Sequence, residues 1–359
     1  MVLGVAENRG RRRRGWVAAL ARVGVVLGVG LGTVAGCSVG VDAPGGSSVA
    51  GGAASDSRPV VLTTFTVLAD LAGEVAGDRL RVESITKIGA EIHGYEPTPG
   101  DLRRAADADL ILDNGLGLEA WFERFVAELD VPHVVLSAGL DPIGIEGDPA
   151  HPNPHAWMSP AGGAHYARAA AEAFADLDPA GASEYRANAE TLAAELATLG
   201  AELRTAVATI PPERRVLVTC EGAFSYLARD AGLEEAYVWP VNAEQQATPR
   251  RVARVIDLVR EREVPAVFCE STVSAEPMER VAESSGTRVA GTLYVDSLSA
   301  PDGPVPTYLD LLRHDVDVIV AGLTGPTADP GETAAPEAAG PTAGTGTSSV
   351  PSDRTEGAR

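Results

Sequence analysis

Over most of the chain, short apolar runs alternate with longer stretches in which apolar residues recur every three or four positions. In the first half, the runs at 60–65, 81–88, 109–113 and 133–137 read as strands; in the second, those at 216–219, 236–239, 266–269 and 288–295 repeat the plan. Thr98-Pro99-Gly100-Asp101 carries a helix start, with Thr as N-cap, Pro at the first helical position and Asp at the third. Ser159-Pro160 and Thr248-Pro249 repeat the cap-then-proline signal. Between the halves, Leu192, Leu196, Leu199, Leu203 and Val207 form the stripe of one helix, which at 180–209 is about 45 Å long, enough to reach both halves. Strand and helix in alternation imply parallel sheets made of βαβ units. The predicted fold is therefore α/β, with two lobes at 59–178 and 211–324, each a small parallel sheet flanked by helices, joined by one long backbone helix at 179–210.

The ends carry different patterns. Residues 1–36 read as a signal peptide: arginines at 11–14 form a basic head, 23–35 an apolar core, and Val34-Ala35-Gly36-Cys37 resembles the bacterial lipobox. The competing reading, a transmembrane helix, meets Arg22 inside the stretch and an apolar part shorter than the ~20 residues a bilayer requires. Cys37 is then the lipidation site, 37–58 a Gly, Ser and Ala-rich flexible tether and 325–359 a disordered tail. The formal charge of -21 disfavours nucleic acid as a partner; the acidic surface keeps the protein soluble and attracts cations. Two further cysteines, Cys220 and Cys269, each end an apolar run just before a glutamate. Export permits a disulfide between them, but buried free thiols are the expectation.

In open parallel sheets ligands bind beyond the carboxyl ends of the strands. Four metal-competent side chains fall there: His93 after the second strand, His155 in the loop before the Ser159 cap, Glu221 after Thr219-Cys220 and Asp296 after Tyr294-Val295. Singly, each has a simpler reading as a hydrogen-bonded loop histidine, a helix-capping glutamate or a turn aspartate. Together, two imidazoles and two carboxylates contributed by both lobes make a divalent-metal site.

Several segments, in order, resemble the manganese, zinc and iron binding lipoproteins of ABC importers. Ile92-His93-Gly94-Tyr95-Glu96-Pro97-Thr98-Pro99 is similar to the first histidine loop of that family and Pro154-His155-Ala156-Trp157 to the second. Thr219-Cys220-Glu221-Gly222-Ala223-Phe224-Ser225-Tyr226 resembles the third ligand segment and Tyr294-Val295-Asp296-Ser297 the fourth, while Phe268-Cys269-Glu270-Ser271 and Tyr237-Val238-Trp239 also match. The resemblance covers 59–324. It implies His93, His155, Glu221 and Asp296 as ligands of a transported divalent ion, and no catalysis or organic cofactor. It further implies a permease with its cytoplasmic ATPase as partner, and a monomer anchored outside the cell membrane through Cys37.

Zinc members of the family place a histidine at the third position and manganese or iron members a glutamate, so Glu221 points to Mn(II), with Fe(II) or zinc as alternatives. Carboxylate in place of imidazole hardens the site, whereas zinc prefers four ligands richer in N or S. The chain departs from the pattern at Asn153, where an Asp commonly precedes Pro-His, at Pro240, and at Cys220, whose thiolate would favour zinc if it faced the ion. Strand alternation turns it away. His151 reads as a solvated loop residue. The rival reading is a secreted metallohydrolase that uses the same four residues, with Glu270 or Glu91 as general base.

Overall fold

A computed structural model of the chain describes residues 56–146, 148–241 and 247–325. The readings made for the signal peptide, Cys37, the tether up to residue 55 and the tail from 326 onward lie outside the described residues. Among the described residues no helix is long and apolar enough to cross a membrane.

The first half forms a parallel sheet of order β2-β1-β3-β4, from β1 (Val60–Thr63), β2 (Arg81–Ser84), β3 (Leu110–Asp113) and β4 (His133–Val135). The two central strands, VVLT and LILD, are apolar on both faces because helices cover both. Val61, Leu110 and Leu112 pack with α1 (Thr66–Ala76) and α4 (Pro160–Leu177); the intervening Leu62 and Ile111 pack with α2 (Pro99–Ala106) and α3 (Ala120–Val126). Edge strands β2 and β4 are only partly buried.

In the second half β7 (Val216–Glu221) pairs in parallel with β8 (Glu234–Trp239), and β9 (Ala266–Glu270) with β10 (Arg288–Leu293). Val216, Val218, Cys220, Val267 and Cys269 face α7 (Pro249–Glu261) and α8 (Glu276–Ser285). Leu217 and Phe268 face the opposite core, with α6 (Ser225–Ala231) and α9 (Tyr308–Thr324).

The helix between the halves, α5, runs Ala182–Ala208, close to the predicted span, and is about 40 Å long. All five residues of its predicted stripe are buried, and it packs against α1 and α4 on one side and α6 and α9 on the other. One continuous core thus runs through both lobes. The predicted caps form. Thr98 and Asp101 close a capping box, with Thr98 N donating to Asp101 Oδ2 at 2.8 Å. Ser159 Oγ accepts from Ala161 N and Thr248 Oγ1 from Arg251 N.

Three readings need correction. His151, read as a loop residue, lies on β6 (Asp148–Pro152), which pairs with β5 (Gly144–Ile145) in a short antiparallel hairpin; its exposed Gly, Pro and Asp residues gave no apolar alternation to find. Glu221 is not beyond its strand but is the last residue of β7, opposite Trp239. A charged residue does not read as strand, yet here the strand carries it into the cleft. Finally, Cys220 and Cys269 are disulfide-bonded rather than free, with Cα atoms 4.9 Å apart, inside the range a disulfide spans. They lie on β7 and β9, strands brought side by side across 49 residues of chain, a proximity the sequence spacing does not reveal.

This covalent tie closes a loop of 49 residues, and the chain-entropy relation puts its stabilisation at about 4 kcal/mol. The double variant Cys220→Ala/Cys269→Ala is expected to unfold at a clearly lower urea midpoint than the oxidised wild type, and added dithiol should lower the wild type but not the variant; coincident midpoints would contradict it.

Candidate metal centre

Each of the four candidate residues is held by its own local device. His93 lies in the segment between β2 and α2, where the carboxylate of Glu91 accepts from His93 N (2.7 Å) and Gly94 N (3.0 Å). Trp121 Nε1 donates to the Ile92 carbonyl, so the backbone is fixed on both sides of the histidine. His155 directly precedes a single 3₁₀ turn, Ala156–Met158, that leads into α4. A Cβ on Gly162 would stand 1.8 Å from the Ala156 carbonyl oxygen, so only glycine lets α4 press this closely on the turn. Glu221 ends β7, where its backbone N donates to Glu270 Oε2 at 3.2 Å. Asp296 follows β10, and Thr272 Oγ1 reaches its Oδ2 at 3.5 Å.

The four side chains converge. His93 Nε2 stands 3.1 Å from His155 Nε2 and 3.3 Å from Glu221 Oε1; His155 Nε2 stands 3.8 Å from the same oxygen and 3.9 Å from Asp296 Oδ1. Donors about 2.1 Å from a shared ion stand roughly 3.0 to 3.4 Å apart, so the shorter edges have the spacing of a coordination shell. None of the four side chains is more than 5% exposed.

Burial sets the protonation. It pushes His93 down to about 4, and, together with the facing His93, holds His155 well below the usual imidazole range. Both rings are therefore neutral near neutral pH, with a lone pair free for a metal. Asn153 selects the tautomer of His155. Its Nδ2 donates to the Gly222 carbonyl, so its Oδ1 faces His155 Nδ1 at 3.0 Å and requires the proton there, leaving Nε2 bare toward the cleft. Burial, reinforced by Glu91, raises Asp296 to about 7, and burial raises Glu270 to about 8. A cation in the cleft would reverse this penalty by pairing with the carboxylates.

All four residues named from the sequence come together. His151 is exposed and pairs with Asp148 at 2.7 Å, solvated as expected though on the strand β6 rather than in a loop. Cys220 points to the α7 and α8 side, opposite Glu221, and its sulfur is committed to the disulfide. The two bases nominated for a hydrolase are both engaged: Glu91 on two backbone amides, Glu270 on Glu221 N. Sequence reasoning missed what Trp157 and Asn153 do. Trp157 Nε1 donates to the Val295 carbonyl, beside Asp296, and Asn153 reaches Gly222, beside Glu221. The short segment carrying His155 is thereby tied to the segments that carry both carboxylates. The available signals were proximity to Pro154-His155 and, for Asn153, its departure from the family pattern.

Comparison with known proteins fits this geometry. The family model described as ZnuA, zinc-uptake complex component A periplasmic, matches residues 61–322. The chain is 50% identical over 266 residues to the iron-binding protein YfeA of Yersinia pestis, covering 73% of this chain and 86% of that protein. It is 36% identical over 265 residues to the manganese-binding lipoprotein MntA of Halalkalibacterium halodurans, covering 74% and 88%. Among solved structures, the Mn-bound periplasmic metal binding protein of Candidatus Liberibacter asiaticus superposes with a TM-score of 0.70 at 36% identity, covering 74% of this chain and all of that one.

The Glu91 cap generates a prediction about His93. Glu91→Ala frees two backbone amides and loosens the histidine loop, and is expected to weaken divalent-ion binding by about 10- to 100-fold while the folded state is retained, as isothermal titration and circular dichroism would measure. Unchanged affinity would contradict it.

Proposed function

Because the chain belongs to the ZnuA family of metal-binding periplasmic components of ABC transporters, we propose that its cargo is Mn(II), held in the cleft by His93, His155, Glu221 and Asp296 and delivered to a membrane permease. The observation that carries the choice of metal is the carboxylate of Glu221 facing both imidazoles, at 3.3 and 3.8 Å. With Asp296 it gives two nitrogens and two carboxylates, a hard set able to offer extra oxygens; zinc favours four-coordinate sites richer in N or S. Cys220 and Cys269 are locked in a disulfide and supply no thiolate. Fe(II) is the runner-up reading, favoured by the identity to a relative named as iron-binding.

Holding, rather than catalysis, is the role these residues suit. A catalytic metal keeps a position open for water, whereas four protein donors from two lobes enclose the ion. Release follows from a small displacement of the ligand segments when the loaded protein docks on the permease. Lipidation at Cys37 would keep the monomer at the outer face of the cell membrane, within reach of that partner.

Two outcomes are expected. Competitive titration of Mn(II), Fe(II) and Zn(II) against a form lacking residues 1–37 should give one ion per chain, and Glu221→His should weaken Mn(II) far more than Zn(II). Zinc outbinds manganese at most sites, so the telling quantity is the change in their ratio on substitution; an unchanged ratio sinks the manganese assignment, and no binding at all sinks the metal site. Loading at about a thousandfold excess over the dissociation constant should stabilise the fold by about 4 kcal/mol, seen as a raised melting temperature that a chelator abolishes. His155→Ala should show no such rise.

A further inference from the structure

The geometry points to Asn153 as the latch of the metal site: a positioning residue whose side-chain amide ties the His155 segment of the first lobe to the Glu221 segment of the second, and so sets how fast the ion leaves. This inference rests on the reading of the cleft as a metal-holding site.

Asn153 is 2% exposed and has every polar atom of its side chain engaged. Nδ2 donates to the Gly222 carbonyl at 2.6 Å and to Ser225 Oγ at 3.2 Å; Oδ1 accepts from His155 N and faces His155 Nδ1, both at 3.0 Å. One amide thus orients a first-lobe imidazole with its oxygen and grips the residue after Glu221 with its nitrogen. The grip is backed on the second-lobe side, because Ser225 Oγ donates onward to the half-buried carboxylate of Glu235. A parallel tie runs from the Tyr226 hydroxyl to the first-lobe main chain: Tyr226 OH accepts from Ile143 N at 3.1 Å and donates to the Asn153 carbonyl at 2.8 Å.

The amide is essential to this arrangement. An aspartate could still accept from both His155 N–H groups, but its second oxygen would face the Gly222 carbonyl, acceptor against acceptor. A buried hydrogen bond between the two ligand segments would be replaced by repulsion. His155 can part from Glu221 only if the contact between Asn153 and Gly222 breaks, so that contact lies on the path of release.

Asn153→Asp separates the two roles. The test is stopped-flow transfer of Mn(II) from the loaded protein to excess chelator, alongside the association rate and the thermal midpoint of the metal-free form. The variant is expected to bind one ion and to release it at least about tenfold faster, with the association rate changed by less than the release rate and the metal-free midpoint lowered by the lost hydrogen bond while the fold is kept. Tyr226→Phe, which removes the main-chain tie and leaves the amide in place, should speed release in the same direction; it carries the test if the first variant fails to fold. Dissociation at the wild-type rate in a folded, metal-loaded variant overturns the latch while leaving the metal site intact. A wild type that binds none of Mn(II), Fe(II) or Zn(II) overturns the metal reading itself, and the latch with it.

Discussion

Two imidazoles and two carboxylates are packed into a space from which water is nearly excluded, and the rest of the molecule is organised around the strain of keeping them there. His93 Nε2 and His155 Nε2 point at each other across 3.1 Å, and Asp296 Oδ1 is buried with no hydrogen-bond donor. Bringing such groups together costs several kcal/mol in desolvation unless a cation offsets it. Supports therefore surround the cleft: Glu91 under His93, Asn153 and Gly162 around His155, Glu270 and the disulfide behind Glu221, Thr272 and Trp157 beside Asp296.

The fold meets this demand through topology. Parallel strands deliver Glu221, and the segments that follow other strands deliver the remaining three, to the same side of the molecule. Because α5 is a single helix packed into a core common to both lobes, wide hinge bending would tear that core open. Local movement of the ligand segments is the less costly way to let an ion out, which places the controlling contacts in the stretch 153–157, where Asn153 and Trp157 reach across to the other lobe.

Much of this was legible before any coordinates. All eight parallel strands and the backbone helix follow from apolar periodicity, and the helix starts at Thr98, Ser159 and Thr248 from capping chemistry, because these are local effects that a chain reports residue by residue. The four site residues stood out because strand ends in an α/β sheet are where ligands bind. What stayed hidden is non-local. Nothing in the spacing of Cys220 and Cys269 places them on neighbouring strands, and Asn153 looked only like a departure from the family pattern until its amide was seen between His155 and Gly222. The hairpin at 144–152 escaped because its few ladder contacts leave no apolar signature.

The most direct test of the central claim, that these four residues hold the transported ion, is anomalous diffraction from crystals grown with Mn(II) and measured on both sides of the manganese edge. The account predicts one strong peak per chain, bonded to His93 Nε2, His155 Nε2 and carboxylate oxygens of Glu221 and Asp296. A manganese peak elsewhere on the molecule, or none in the cleft at saturating Mn(II), would contradict it.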